Sequence, residues 1–308
     1  MTPIRLALVG LGKIAHDQHA PAIAADRRFE LAAVVSRHAG LDGVAHFAKL
    51  EDLLADGLAI DAVALCTPPQ PRHGLAHLAL AAGKHVMLEK PPGATLSEVE
   101  DLRQVAAARG LTLQATWHSR HAAAVEPARA WLAERSVNAV RINWKEDVRV
   151  WHPGQDWIWE AGGLGVFDPA INALSIATRV LPRPFFLSRG LLHVPANRQA
   201  PIQAELDFRD TAGAPIRVEL DFLQTGPQSW DIEVDTDDGA LKLTNGGAKL
   251  WIDGKLLHEG PDREYPGLYD AFARLIADGA SDVDTSPLRH VADAFLLGER
   301  RVAPAFDW

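Results

Sequence analysis

Ala7-Leu8-Val9-Gly10-Leu11-Gly12-Lys13-Ile14-Ala15 is the stretch that decides the fold. The run Ile4–Val9 is almost wholly apolar, as expected of a parallel strand buried on both faces. Gly10 and Gly12 stand where a chain must turn sharply and let its backbone approach a pyrophosphate. Ala15 takes the place of a third small residue, which allows a helix to pack on a strand. The N–H groups at the start of the following helix, at Lys13 and Ile14, suit phosphate oxygens. A glycine turn can join any strand and helix. This one gains meaning from following a buried strand at the chain's start.

Outward from this turn the sequence alternates strand and helix patterns. Residues 13–25 predict a helix, 30–36 a strand, 61–66 a strand, 72–82 a helix, 85–89 a strand, 96–108 a helix and 111–116 a strand. Alternation of this kind gives an open, doubly wound parallel sheet of the Rossmann type. After about residue 119 the style changes. A helix is expected over 122–134, a long strand over 137–147, an irregular Trp-, Pro- and Gly-rich segment over 151–164, and a helix over 167–180. Strands with Gly and Asn turns follow over 185–258, then helices over 267–277 and 287–300. The expectation is an α/β chain in two domains. Residues 1–119 form a dinucleotide-binding unit, and residues 120–308 form an α+β unit with an open, mostly antiparallel sheet.

The end of the second strand normally selects between nicotinamide cofactors. An acidic residue there would bind a ribose 2′-hydroxyl and repel a 2′-phosphate. This chain has Ser36-Arg37-His38. A hydroxyl and a guanidinium suit a 2′-phosphate in charge and geometry, so NADP is expected, with NAD also usable. The other reading of Arg37 is a solvated loop arginine. Cys66-Thr67-Pro68-Pro69 ends the third expected strand at the same sheet edge, as a loop along the nicotinamide ribose or as an ordinary strand-ending turn. His85-Val86-Met87-Leu88-Glu89-Lys90-Pro91-Pro92 then delivers Glu89 and Lys90 to that edge, with prolines fixing the backbone. A lysine buried beside a cationic ring is usable as a base near neutral pH, whereas a surface lysine at a strand end would do nothing.

Composition narrows the classes. With 308 residues and 47% apolar content the chain can bury two cores. A net charge of −9 argues against a nucleic-acid or anionic-membrane surface. One cysteine, Cys66, excludes a disulfide framework. No export signal and no apolar run long enough to span a bilayer are seen, so the expected place is the cytoplasm. His16 and His19 lack a third ligand in the sequence, so no metal site is expected, and the pair is expected to face the cofactor or the cleft.

Gly10-Leu11-Gly12-Lys13-Ile14-Ala15, Asp17-Gln18-His19-Ala20-Pro21-Ala22-Ile23 and Glu89-Lys90-Pro91 resemble the glucose–fructose oxidoreductase and inositol dehydrogenase family. Trp144-Lys145-Glu146-Asp147, Trp151-His152-Pro153-Gly154-Gln155 and the run from Gly162 to Leu174 are similar to its branch of bacterial L-arabinose and D-galactose 1-dehydrogenases. The resemblance covers essentially the whole chain. It implies oxidation of an aldose at C1 to a lactone, with Lys90 as base or proton shuttle. It also implies a second-domain sheet whose exposed face builds a homodimer or homotetramer. The wider family has His four residues after the Asp at 168; this chain has Asn172, which cannot exchange protons near neutral pH.

Site residues in the second domain follow from that resemblance and from chemistry. Asp168 and Asn172 share a helix face, Asp168 positioning Lys90 or the C1 hydroxyl and Asn172 bonding a ring hydroxyl. Asp168-Pro169 is also a helix N-cap and first-residue pair, so a capping role competes. Glu146 can accept two hydrogen bonds from a sugar diol, and His152 can bond a hydroxyl or assist proton exit. Trp144, Trp151, Trp157 and Trp159 offer either a platform for a sugar's C–H face or plain core packing. A reductase of another carbonyl compound, or an NADP-binding regulatory protein, are the rival functions. Lys90, Asp168 and Asn172 speak against a regulator, which has no use for them.

Overall fold

The computed structural model describes residues 2–38 and 40–308. They form two compact units: residues up to Trp117 with Tyr265–Thr285, and His118–Glu264 with Ser286–Trp308.

The first unit is built on six strands, β1 Ile4–Val9, β2 Phe29–Val35, β3 Ala45–Phe47, β4 Ala62–Leu65, β5 His85–Leu88 and β6 Leu113–Ala115. Their order is β3-β2-β1-β4-β5-β6, and every pairing is parallel. The order reverses at β1 and β4, the switch point at which such sheets bind ligands. Alternate residues of β1, β4 and β5 enter separate cores. Ala7, Val9, Val63, Leu65, Val86 and Leu88 pack with helical residues Leu53, Leu80 and Leu102. Leu6, Leu8, Ala62, Ala64 and Met87 pack with Ile23 and with Tyr265, Leu268, Tyr269 and Phe272. The helix Glu264–Asp278, expected within the second domain, thus supplies the core of the first unit.

Local signals explain most of these elements. Helix Leu96–Ala108 begins where expected because Thr95 and Glu98 form a reciprocal capping box. The strand β3 and the helix Leu50–Asp56 were not anticipated. β3 has three largely exposed residues and is held by its pairing with β2 rather than by its own pattern. The helix expected over 13–25 contains a π turn, Ala15–His19, before Ala20–Ala25.

The second unit is a nine-stranded sheet: β7 Val137–Lys145, β8 Phe185–Pro195, β9 Gln203–Asp210, β10 Pro215–Asp221, β11 Ser229–Thr236, β12 Gly239–Thr244, β13 Lys249–Ile252, β14 Lys255–Glu259 and β15 Glu299–Ala303. Its order is β14-β13-β12-β11-β7-β10-β9-β8-β15, antiparallel except for β7 with β10 and β8 with β15. Val140, Ile142, Leu206, Phe208, Val218 and Ile232 point inward beneath the helices Val125–Leu132, Phe167–Val180 and Ser286–Leu297. The opposite face carries ion pairs such as Lys145–Glu219 at 2.6 Å and Arg217–Asp207 at 3.3 Å. The last helix, expected to reach residue 300, stops at Leu297. A Cβ on Gly298 would lie 2.5 Å from the Ala294 carbonyl oxygen, and the chain leaves as β15. Among the described residues no helix is long and apolar enough to cross a membrane.

Candidate active site

Gly10 follows β1 with φ +91°, and a Cβ there would lie 2.9 Å from the Thr67 nitrogen and 3.0 Å from the Cys66 carbonyl carbon. Only glycine fits both the conformation and the space. A Cβ on Gly12, by contrast, would meet no atom within 4 Å. The turn is therefore tight against the end of β4 on one side and open at Gly12, which fits a pyrophosphate drawn up to bare backbone. Ile14 packs into the core, while Lys13 is exposed and ion-paired to Asp17. Pro69 is the first residue of helix Pro69–Ala81, with Pro68 at its N-cap position, so the prolines start a helix rather than stiffen a loop. At the end of β2, Ser36 Oγ accepts from the His38 amide at 3.3 Å, and the Ser36 carbonyl accepts from His46 Nε2 at 2.8 Å. Arg37 and His38 are exposed, and Arg37 makes no ion pair among the described residues.

Below the first unit's chemistry lies a buried polar cluster. Glu89 follows β5 and is almost fully buried. Its Oε1 accepts from the Tyr265 hydroxyl at 2.8 Å and lies 3.2 Å from His19 Nε2, and its Oε2 accepts from the Lys90 amide at 2.5 Å. His19 Nδ1 is 2.8 Å from the Tyr269 hydroxyl. Burial pulls the His19 pKa down, but Cys66, Tyr269 and the Glu89 carboxylate more than reverse this and hold it well above the ordinary value. Burial pushes the Tyr269 hydroxyl up to about 12, against the opposing pull of His19. The Lys90–Pro91 peptide is cis, and the buried Arg72 guanidinium donates to the carbonyls of Thr67, Glu89 and Pro91. The backbone presenting Lys90 is therefore held from both sides, and Lys90 itself is half-buried.

His16 and His19, expected to face the cofactor or the cleft together, part company: His16 is exposed and His19 is inside the unit. Arg72, Tyr265 and Tyr269 were not anticipated. One signal was available, since Tyr265 and Tyr269 are the only two tyrosines and stand four apart on one helix.

In the second unit β7 runs into Glu146 and Asp147. Asp147 caps the short helix Val148–Trp151 by accepting from the Arg149 amide at 2.9 Å, which brings His152 back toward Glu146. Glu146 is 2% exposed; its Oε2 accepts from Trp230 Nε1 at 2.8 Å, and its Oε1 lies 3.2 Å from His152 Nε2. The other side of the ring, His152 Nδ1, lies 3.7 Å from Asp168 Oδ2. One imidazole thus stands between two buried carboxylates, with its ring against Phe222 at 5.5 Å between centroids.

Asp168 is the second residue of helix Phe167–Val180, and Val166 occupies the N-cap position without a side-chain bond. The capping role for Asp168 is therefore corrected: its side chain is inside the first turn and buried. The Gly-rich approach sets this geometry. A Cβ on Gly163 would lie 2.2 Å from the Trp157 carbonyl oxygen, and Gly165, at φ +55°, would place one 2.3 Å from the Pro201 oxygen. One turn along, the Asn172 Oδ1 is buried with no hydrogen-bond partner among the described residues. Trp144 and Trp159 belong to the core, whereas Trp151 is 38% exposed and lies against Trp230 at 4.9 Å. The arrangement offers carboxylate, imidazole and amide oxygen and nitrogen atoms to a ligand rich in hydroxyl groups.

Residues 4–116 match the oxidoreductase family with an NAD-binding Rossmann fold, GFO/IDH/MocA. A galactose 1-dehydrogenase of Pseudomonas fluorescens is 48% identical over 308 residues, covering 99% of each chain. The crystal structure of a D-galactose-1-dehydrogenase from Rhizobium etli superposes with a TM-score of 0.95 at 56% identity, covering 100% of this chain and 99% of that one. A 3-ketoreductase from Actinomadura kijaniata, solved with TDP-benzene and NADP, shares the fold at 18% identity and a TM-score of 0.83, over 98% of this chain and 100% of that one. The glycine turn at the switch point, the six-stranded parallel sheet and the full-length likeness agree: the chain is an oxidoreductase of the GFO/IDH/MocA family.

Proposed function

We propose that this enzyme oxidises the C1 hydroxyl of an aldopyranose to the lactone, with D-galactose, L-arabinose and D-fucose as the substrate class. The observation that carries this reading is full-length likeness, at 48% and 56% identity, to two proteins named as galactose 1-dehydrogenases. The buried row Glu146–His152–Asp168 supports it, because carboxylates flanking an imidazole suit a ring bearing several hydroxyls.

Bound at the glycine turn, the nicotinamide coenzyme supplies the hydride acceptor for C1. Lys90 takes the anomeric hydroxyl proton as the C1 carbonyl forms, and releases it to solvent. Asp168 and Asn172 fix the sugar by hydrogen bonds, Asn172 through its buried Oδ1 and its amide donor. Glu146 accepts from hydroxyls through Oε1, and His152 hands a proton outward or donates to the ring; Trp151 offers its exposed face to C–H groups. Gly10, Gly12, Lys13, Ile14, Cys66, Thr67, Pro68 and Glu89 line or support the coenzyme. NADP is the preferred coenzyme, with NAD also used, because Ser36, Arg37 and His38 place a hydroxyl, a guanidinium and an imidazole at the end of β2. We place the enzyme in the cytoplasm, as a homodimer or homotetramer built on the exposed sheet face, which sedimentation tests.

A panel of sugars with NADP and with NAD, followed by the near-ultraviolet absorbance of the reduced coenzyme, tests the reading. Turnover with galactose, arabinose or fucose is expected, faster with NADP at low coenzyme concentration. No turnover with any aldose overturns the substrate class, and equal or better use of NAD overturns the coenzyme preference.

A further inference from the structure

Two helices of the first unit, Pro69–Ala81 and Leu96–Ala108, bring together three side chains that the proposed reaction leaves unused. His73 and His77 stand one turn apart on the first helix, and Asp101 faces them from the second. His73 Nε2 lies 2.8 Å, and His77 Nε2 2.5 Å, from the same Asp101 Oδ2. The two imidazole rings meet edge to face with centroids 4.7 Å apart. One ligand atom from each residue can be chosen so that all three lie within 4.8 Å of one another, and no other group of three such residues does so among the described residues.

We propose that His73, His77 and Asp101 form a divalent transition-metal site that takes Zn2+. Two imidazoles and a carboxylate are a zinc donor set, and they disfavour Mg2+ and Ca2+, which prefer oxygen alone. Around Zn2+, with bonds of ~2.0–2.2 Å, tetrahedral ligand atoms stand roughly 3.3 Å apart. The two histidine–carboxylate spacings, 2.8 and 2.5 Å, need open only slightly to reach it. The histidines can do so, because side chains 33% and 40% exposed are free to adjust, and the 48% exposed Asp101 leaves water to complete the shell. The competing state is a metal-free ionic cluster on the same residues.

The site would clasp the two helices. His73 directly follows Arg72, whose guanidinium holds the Glu89 and Pro91 carbonyls. A metal ion here therefore stiffens the support beneath Lys90 without touching the reaction.

The test uses untagged, chelator-stripped full-length protein titrated with Zn2+ against a chromogenic chelator. One equivalent is expected to bind, with a rise in melting temperature, and Co2+ is expected to give the visible absorption of a tetrahedral site. His73→Ala, His77→Ala and Asp101→Asn should each weaken Zn2+ binding at least ~10-fold while leaving basal turnover unchanged. If a variant fails to fold, His77→Gln, which keeps a polar side chain, replaces it. Failure to bind one equivalent, or equal binding by wild type and the His73→Ala/His77→Ala double variant, overturns the proposal and leaves an ionic cluster only. Loss of sugar turnover with intact zinc binding would instead count against the proposed reaction alone.

Discussion

His152 Nδ1 and Asp168 Oδ2 lie 3.7 Å apart, and on the far side of the same ring Glu146 Oε1 is 3.2 Å from Nε2. Asp168 owes this position to the turn at Gly165 and not to the capping of its helix. A charge change there is therefore a probe of the site. Asp168→Asn is expected to lower turnover by ~10²-fold or more, with stability changed by less than about 1 kcal/mol. Kinetics and thermal melting on the same preparation check it; wild-type turnover would leave Glu146 as the charged partner of the sugar.

Lys90→Ala is expected to reduce kcat by ~10²–10⁴-fold, the range for a lost acid–base group, while the Kd for NADP stays within about 2-fold. Coenzyme fluorescence titration beside steady-state kinetics separates the two. A fall in binding equal to the fall in turnover would give Lys90 a coenzyme role instead.

Arg37→Asp removes a charged donor and adds repulsion at the end of β2. NADP binding should weaken by about 2 kcal/mol or more, roughly 30-fold, and NAD use should survive or improve. Unchanged kinetics with both coenzymes would show that Arg37 is a solvated loop residue.

Buried His19, whose pKa is raised against desolvation by Cys66, Tyr269 and Glu89, makes stability depend on pH. The folded pKa of His19 is raised, so its contribution is fully present below about 6.5, the unfolded value. That contribution is lost as pH rises through the higher folded value, at up to ~1.4 kcal/mol per pH unit. Denaturant melts of wild type from pH 6 upward should therefore fall relative to His19→Gln, which cannot titrate. Parallel curves for the two proteins would place the neutral imidazole in the native state.

Gly163→Ala should cost at least ~2 kcal/mol, because its Cβ would meet backbone oxygens that cannot swing aside. Urea unfolding at constant m-value measures it, and a loss under about 0.5 kcal/mol would mean that the loop moves freely.

Much of this architecture is legible in the sequence. The strand Ile4–Val9 and the helix Leu96–Ala108 carry their own signals: an apolar run before glycines in one case, a capping box and a terminal glycine in the other. Other elements take their structure from partners. β3 has too few residues and too much exposure to declare itself, and the amphipathic helix Glu264–Asp278 shows that one face is buried without saying against what. The candidate site divides the same way. Glu146, His152 and Asp168 are each recognisable by residue type, but an imidazole shared by two carboxylates is a fact of β7, a short helix and a glycine turn folding together. Asp168-Pro169 reads locally as a cap, yet Val166 already stands at that position because the Gly165 turn begins the helix earlier.

Tyr265, Leu268, Tyr269, Phe272 and Ala273 complete a core whose other buried members come from the chain's first ninety or so residues, Leu6 and Met87 among them. A ribosome makes the coenzyme unit's sheet early but its last core helix late. Until residue 285 has emerged, the nascent chain must carry Leu6, Leu8 and Met87 without their cover, and Glu89 and His19 without their hydroxyl partners. The coenzyme unit is thus sealed only after nearly all of the other unit has been synthesised. A message truncated beyond residue 285 would spare this unit, and one truncated in the middle would leave it open to chaperones and proteases.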